Sequence, residues 1–194
     1  RLLSFGGWVT VSNVVTPVLM QSDRLLVGSL ISASAVAIYV IPYELVVQSL
    51  IVCGAVTTTL FPVFAGMAKS QPNLLHGAFF KWLAVVSTLR LGVTIGFFLL
   101  AEPVLSLWLG ASFNEESVDV AHILPLGLVP YAIGSMYLAL LHAHARPDVT
   151  AKAHLVEVPL FLMGLYWVIS TYGVNGAAGA WVARVTLDAV ILVV

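Results

Sequence analysis

The sequence predicts an all-α membrane protein that crosses the bilayer several times. Of its 194 residues, 60% are hydrophobic and 9% are charged, whereas roughly 25% are charged in an ordinary soluble domain. The mean hydropathy of +1.04 is correspondingly high. The apolar runs suit helices, which need about 20 residues to cross the bilayer, and they are far longer than the roughly 10-residue strands of a membrane barrel.

We expect residues 1–194 to form one bundle of six transmembrane helices. The predicted spans lie near Phe5–Ile31, Val36–Phe64, Phe79–Ala101, Ala121–His142, Thr150–Ser170 and Ala177–Val194. Short links that favour turns separate them, among them Pro72 with Asn73 and the YGVNG stretch at Tyr172–Gly176. The chain opens without Met and stops within an apolar run, so we expect it to be a piece of a longer protein.

The basic residues of the links predict the orientation of the spans. They occur before the first span and around the second and fourth links, at Arg1, Lys69, Lys81, Arg146 and Lys152. Links with an excess of Lys and Arg stay on the cytoplasmic side of a membrane. We therefore expect the N-terminus of this segment to be cytoplasmic.

The first predicted span contains an acid and a base side by side, in the stretch VLMQSDRLLVGSL. Winding the span at about 100° per residue gathers its polar side chains within an arc of about 120°. These side chains are Ser12, Asn13, Thr16, Asp23 and Arg24. A charge that faces lipid costs roughly 3 kcal/mol, so this side of the helix should face protein or water. Pro17 should bend the span and is a candidate hinge.

Most other spans also bring ionisable side chains into the membrane, as a hydrated central cavity would require. These are Glu44 near Gln48, Arg90, Glu157 near His154, and Arg184 near Asp188. We predict that Arg24, Arg90 and Arg184, with Asn13 and Thr16, line the path of an anionic substrate. We predict that Asp23, Glu44, Glu157 and Asp188 exchange a proton or bind Na⁺.

A purely structural role competes with each of these predictions. Asp23 with Arg24, and Arg184 with Asp188, are equally consistent with structural ion pairs that fix helix contacts. Glu44 and Glu157 are equally suited to hydrogen bonds between helices. The prediction of a substrate-binding role is stronger for Arg90, because no acidic residue lies within one helical turn of it. Its partner must come from another helix or from a ligand.

Catalytic and metal chemistry are not predicted. Cys53 is the single cysteine, so no disulfide is expected within the chain. His142 and His144 are two residues apart, a spacing that points them away from each other on a helix, and we expect no metal site. The GAAGAW stretch at Gly176–Trp181 indicates close helix packing and not a phosphate-binding loop. We expect a transporter rather than an enzyme, with no bound cofactor and no nucleic-acid partner.

Several stretches resemble the second half of bacterial polysaccharide and O-antigen flippases, which belong to the multidrug/oligosaccharidyl-lipid/polysaccharide exporter superfamily and are related to the MATE transporters. The resemblance covers essentially the whole chain. The stretches are FGGWVTVSNVVTPVLMQSDRLLVGSLISASAVAIYVIPYELV with Phe61-Pro62, then LSLWLGASF, HARPDVTAKAHLVEVPLF and YGVNGAAGAWVARVTLD.

The resemblance implies a twelve-helix, MATE-like transporter in the bacterial inner membrane, of which this chain is the later six-helix half. Such proteins move oligosaccharides linked to undecaprenyl pyrophosphate across the membrane, for O-antigen, capsule or exopolysaccharide synthesis. By this resemblance, Arg24, Arg90 and Arg184 attract pyrophosphate or acidic sugars, and an H⁺ or Na⁺ gradient drives alternating access. Pro17, Pro42 and Pro159 are candidate bending points. The implied partners are lipid-linked oligosaccharide, membrane lipids, the polysaccharide polymerase and the chain-length machinery.

Several alternatives stay open at this stage. Acids are at least as numerous as bases within the spans, so a neutral sugar repeat fits as well as an acidic one. A drug/cation antiporter or a lipid II flippase of the same superfamily would share the architecture. A polysaccharide polymerase or ligase would need a large loop outside the membrane, longer than the roughly 10-residue links seen here. The remaining alternative is a structural scaffold in a polysaccharide assembly complex.

Overall fold

The computed structural model describes the backbone at residues 10, 17–19, 21–110, 114–143 and 147–193, and these residues are almost entirely helical. Helix α1 comprises 17–19 and 21–30. It is followed by α2 (Ala33–Ser70), α3 (Pro72–Leu109) and α4 (Glu115–Ile123), a 3₁₀ turn (Leu124–Gly127), α5 (Leu128–Ala143) and α6 (Pro147–Val193). The described chain contains no strand, in agreement with the all-α prediction.

Four helical stretches within these ranges are long and apolar enough to cross a membrane. They are Ala33–Ser70, Asn73–Leu109, Glu115–Leu141 and Leu155–Val193. α2 and α3 each contain 38 residues, or roughly 57 Å at the rise of an α-helix. Both helices are therefore longer than the hydrocarbon core, which is about 30 Å thick.

The long helix α6 contains two helical arms that meet at Gly173, where φ is 61° and ψ is −139°. A positive φ is readily adopted only by glycine. The arms approach closely there, because a Cβ atom on Gly176 would lie 2.4 Å from the carbonyl oxygen of Val168. The kink falls within the predicted YGVNG turn. The full six-span count stays a prediction, since most of the first predicted span lies outside the described residues.

The largest core lies where α1, α2, α4, the start of α5 and both arms of α6 meet. Its largest side chain is Trp181, which is 1% exposed and packs with buried Tyr39 and Tyr43. The 3₁₀ turn fits against this indole because Gly127 has no side chain: a Cβ atom there would lie 2.4 Å from Cζ3 of Trp181. Gly176, Ala177 and Ala178 are also buried, which confirms the close packing predicted for GAAGAW.

A second core joins the end of α2 to the start of α3 and to α5. It includes Phe64 and Phe79, whose ring centroids are 5.9 Å apart, and Tyr137 on the other side of Phe79. Much of the remaining surface of α3 is apolar and exposed, with Leu99 72% and Leu107 89% exposed. Such a surface suits contact with lipid.

The backbone stays helical at the proline positions predicted as hinges. Pro42 is buried inside α2, and Pro159 is exposed inside α6. Pro17 is exposed in α1. Within the described helices, the departure from helical geometry is at Gly173, and bending at the three prolines stays a prediction.

Candidate functional site

The site is built on the tight turn between α1 and α2. Ser32 caps α2, accepting a hydrogen bond at its Oγ from the backbone N–H of Ala35 at 3.1 Å, which satisfies one of the unpaired N–H groups of the first turn. A Cβ atom on Gly28 would lie 3.1 Å from a methyl group of Val36. The two helices are therefore in contact from the turn onward, and side chains of α1 reach those of α2.

Asp23 is buried against α2, with 1% of its surface exposed. Its Oδ2 accepts a hydrogen bond from the hydroxyl of Tyr39 at 2.5 Å, and its Oδ1 accepts one from the backbone N–H of Arg24 at 2.8 Å. The Tyr39 phenol, itself fully buried, thus supplies the hydrogen bond that a buried carboxylate requires.

Arg24 makes its ion pair with Glu44 and not with its neighbour Asp23. Its Nη2 lies 2.6 Å from Oε1 of Glu44, and the two side chains are 25% and 43% exposed. The guanidinium also lies 4.7 Å from the centre of the Tyr43 ring, a cation–π distance. The sequence-based pairing of Asp23 with Arg24 is therefore wrong for the side chains, because consecutive residues of a helix point about 100° apart.

A second ion pair joins the two arms of α6 across the kink at Gly173. Nη1 of Arg184 lies 3.8 Å from Oε1 of Glu157, and the side chains are 7% and 2% exposed. Arg184 also lies 5.7 Å from the centre of the Phe161 ring. Arg184 therefore faces Glu157 of the opposite arm. Asp188, four residues further along, is partly buried.

Aromatic contacts lead from the Arg24–Glu44 pair to the C-terminal arm of α6, which also carries Arg184. The Tyr43 ring packs on Tyr39 at 5.4 Å and meets the edge of Trp181 at 6.1 Å. Arg184 follows Trp181 by three residues and therefore lies on the same side of α6. We call the resulting group the charged cluster: Asp23, Arg24, Glu44, Glu157 and Arg184. Two bases face three acids, so its formal charge is −1 when all five are ionised.

Arg90 is not part of the charged cluster. It is 2% exposed on α3, and its Nη1 donates to the Oγ of Ser49 on α2 at 3.0 Å. Among the described residues, its Nε and Nη2 have no hydrogen-bond partner. Ser49 follows Glu44 by five residues, which places it about 140° around α2. Arg90 therefore contacts a different side of α2 from the side that carries Glu44. Its place on the substrate path stays a prediction.

Two candidate path residues, Asn13 and Thr16, lie outside the described residues. No group of three or more potential metal ligands (His, Cys, Asp or Glu) is present in the described part of the chain.

A family profile described as "Polysaccharide biosynthesis protein" matches residues 1–119. This match spans more than half of the chain and includes Asp23, Arg24, Glu44 and Arg90. The chain belongs to this family. It is a multi-pass membrane member of the polysaccharide biosynthesis proteins, as its long apolar helices require.

Two curated proteins are similar to this polysaccharide biosynthesis protein. A putative O-antigen transporter of Shigella flexneri is 29% identical over 195 residues, covering 99% of this chain and 46% of the relative. A probable flippase, AglR, of Haloferax volcanii is 22% identical over 174 residues, covering 88% of this chain and 36% of the relative. The chain thus spans less than half the length of either relative. No solved structure matches it significantly.

Both relatives are named as transporters or flippases and not as enzymes, in agreement with the class that the sequence predicts. This chain is therefore an all-α membrane protein whose two relatives are named as a transporter and a flippase.

Sequence reasoning missed Tyr39 and Tyr43 of this polysaccharide biosynthesis protein. The two tyrosines are four residues apart and so lie on one side of α2, where Tyr39 binds Asp23 and Tyr43 contacts Arg24. The signal available in the sequence was their i, i+4 spacing beside Glu44. What it could not show was that α1 packs on this side of α2.

Proposed function

We propose that this chain is the later half of a flippase that moves an oligosaccharide linked to undecaprenyl pyrophosphate across the bacterial inner membrane. The product would serve O-antigen, capsule or exopolysaccharide synthesis. The family match and the names of the two relatives support a polysaccharide transporter. The lipid-linked substrate and the ion coupling are the finer steps of the proposal.

The observation that carries the proposal is that the ion pair of Arg24 and Glu44 is partly exposed. Arg24 lies on an apolar membrane helix, yet a quarter of its side chain is exposed and its partner Glu44 is 43% exposed. Phosphate and carboxylate bind the guanidinium fork in the same way. A pyrophosphate can therefore take the place of Glu44 on Arg24.

The enclosed carboxylates of the same cluster are suited to ion coupling. Asp23 and Glu157 are 1% and 3% exposed, and each lies beside an arginine that a ligand anion would engage. When the cluster opens to admit the anion, these carboxylates gain access to water and can take up H⁺ or Na⁺. Alternating access around a site at the repeat interface is the usual arrangement in transporters built from two halves.

The proposal is tested by Arg24→Ala in the full-length protein, reconstituted in liposomes with a fluorescent lipid-linked oligosaccharide. Loss of charge-assisted hydrogen bonds worth about 1.5–3 kcal/mol should slow flipping by about ten- to a hundredfold. Lys81→Ala removes an exposed cation of α3 outside the cluster and is the matched control, expected to flip at the unchanged rate.

Equal flipping by Arg24→Ala, Lys81→Ala and the unaltered protein would reject the phosphate-binding role of Arg24. A second assay with a lipophilic cation separates the alternative transporter. The acid excess of the cluster and its aromatic neighbours Tyr43 and Trp181 are features that also suit a cation. Coupled efflux of that cation, without flipping of the lipid-linked sugar, would establish a drug/cation antiporter instead.

A further inference from the structure

A pocket between α2 and α5 is separate from the charged cluster. It has a volume of about 310 Å³, at the small end of the roughly 300–1,000 Å³ typical of small-molecule sites. We call it the α2–α5 pocket. It is lined by Gly54, Thr57, Thr58 and Phe61 of α2 and by Tyr131, Ser135, Leu138 and Ala139 of α5.

The lining of this pocket combines hydroxyl groups with aromatic rings and has no carboxylate, ammonium or guanidinium group. Thr57, Thr58, Ser135 and Tyr131 supply hydroxyls, and Phe61 and Tyr131 supply rings. The Thr58 hydroxyl donates its hydrogen to the carbonyl oxygen of Gly54 at 2.7 Å. Its oxygen lone pairs are then left to accept hydrogen bonds, and the exposed position of Thr58 presents them to the pocket.

These groups favour a neutral ligand that carries many hydroxyls. An anion would find no positive charge in the lining, and a lipid chain would leave the lone pairs of the hydroxyl oxygens without hydrogen bonds. A sugar ring can donate its hydroxyls to threonine and serine oxygens and lay its apolar face on an aromatic side chain. The chemistry of the α2–α5 pocket is therefore that of a carbohydrate site.

The edge of the pocket formed by Thr58 lies on the same side of α2 as Glu44, whereas Gly54, Thr57 and Phe61 lie about 80–140° around the helix from it. Thr58 follows Glu44 by 14 residues, a rotation that returns it to within about 40° of Glu44. Gln48 and Thr59 lie on this side too, and both are exposed. An exposed amide such as that of Gln48 is costly against lipid, so this side of α2 suits a water-filled path. Along the helix axis, Glu44 and Thr58 are roughly 21 Å apart.

We propose that the α2–α5 pocket is a neutral-sugar subsite of the transport path. It holds one sugar of the oligosaccharide while Arg24 holds the phosphate end beside Glu44, which lies roughly 21 Å from Thr58 along α2. The separation requires a ligand with several sugars, which is the substrate class of the proposed function on which this inference rests. Recognition of the sugar and recognition of the phosphate are thereby assigned to different residues.

The test uses two probes with the full-length protein in detergent: inorganic pyrophosphate, and the repeat-unit oligosaccharide released from the source strain's own polysaccharide. The variant Thr58→Val combined with Ser135→Ala removes two pocket hydroxyls while retaining helix-compatible side chains. We expect its Kd for the oligosaccharide to rise about tenfold and its Kd for pyrophosphate to stay unchanged. Arg24→Ala should show the opposite pattern.

Two further variants guard against a general effect on folding. Thr186→Val removes an exposed hydroxyl that bonds its own helix at Val182, as Thr58 does, but lies outside the pocket; both Kd values should stay unchanged. The single variant Thr58→Ser keeps a hydroxyl group at position 58 and leaves Ser135 unchanged. It should keep oligosaccharide binding.

An unchanged oligosaccharide Kd in the double variant, or no oligosaccharide binding by the unaltered protein, would overturn the sugar subsite. An equal loss for both probes would overturn it as well, because the pocket would then not be selective for sugar. If the pocket variants lose sugar binding while Arg24→Ala leaves pyrophosphate binding unchanged, the sugar subsite stands and the phosphate role of Arg24 in the proposed function fails.

Discussion

At Asp23 and Arg24, two consecutive residues of α1 have opposite surroundings. Asp23 is 1% exposed and bound by the Tyr39 hydroxyl, whereas the Arg24 side chain is 25% exposed and bound to Glu44. One carboxylate is thus enclosed and the neighbouring cation is within reach of a ligand. This difference fits the proposed roles, anion binding for Arg24 and, for Asp23, ion coupling or holding α1 to α2.

We predict that Tyr39→Phe destabilises the protein, because it leaves Asp23 buried without its side-chain hydrogen-bond donor. The expected cost is about 1–3 kcal/mol, measured as a lower midpoint of thermal unfolding in detergent. Tyr172→Phe is the control, since Tyr172 is 63% exposed on α6 and should unfold at the unchanged temperature. An unchanged midpoint for Tyr39→Phe would show that Asp23 does not depend on this hydrogen bond.

At the scale of the helices, small residues decide how closely α5 and the C-terminal arm of α6 approach. Gly127 admits the Trp181 indole, and a Cβ atom on Gly134 would lie 3.4 Å from the backbone of Ala189. The same indole contacts Tyr43. The close packing of these helices therefore also positions the aromatic residues behind the charged cluster.

We predict that Gly127→Ala lowers stability, because its methyl group would overlap the Trp181 ring. Overpacking of this kind costs about 1–3 kcal/mol and should appear as a lower unfolding midpoint. Gly92→Ala is the matched control, since no atom lies within 4 Å of a Cβ at that exposed helical position, and alanine is the better helix former. Equal midpoints for both variants would mean that Trp181 moves aside without cost.

For the whole molecule, the two arms of α6 and the α1–α2 hairpin bring together charges that are far apart in the sequence. Arg24 and Glu44 are separated by 20 residues, and Glu157 and Arg184 lie on opposite sides of the Gly173 kink. Movement of these elements relative to one another would open the charged cluster. The charged cluster is therefore a property of the packed helices and not of one helix.

We predict that Asp23→Asn uncouples transport from the ion gradient. The amide oxygen can still accept the Tyr39 hydrogen bond, but the side chain can no longer take up H⁺ or Na⁺. Flipping of lipid-linked oligosaccharide in liposomes should then show about the same rate with and without an imposed pH or Na⁺ gradient. Glu116→Gln, at an exposed position of α4, is the control and should retain the response of the unaltered protein. A full gradient response in Asp23→Asn would assign coupling elsewhere, for example to Glu157.

The helices and the turn near Gly173 were predictable because they depend on residues close together in sequence. A bilayer selects apolar runs of about 20 residues, and a helix places residues three or four apart on one side. By contrast, the partners of Arg24, Asp23 and Glu157, the side of α2 that Arg90 contacts, and the α2–α5 pocket depend on which helix packs against which. Contacts between distant segments carry no local periodic signal, so only the packed structure could decide them.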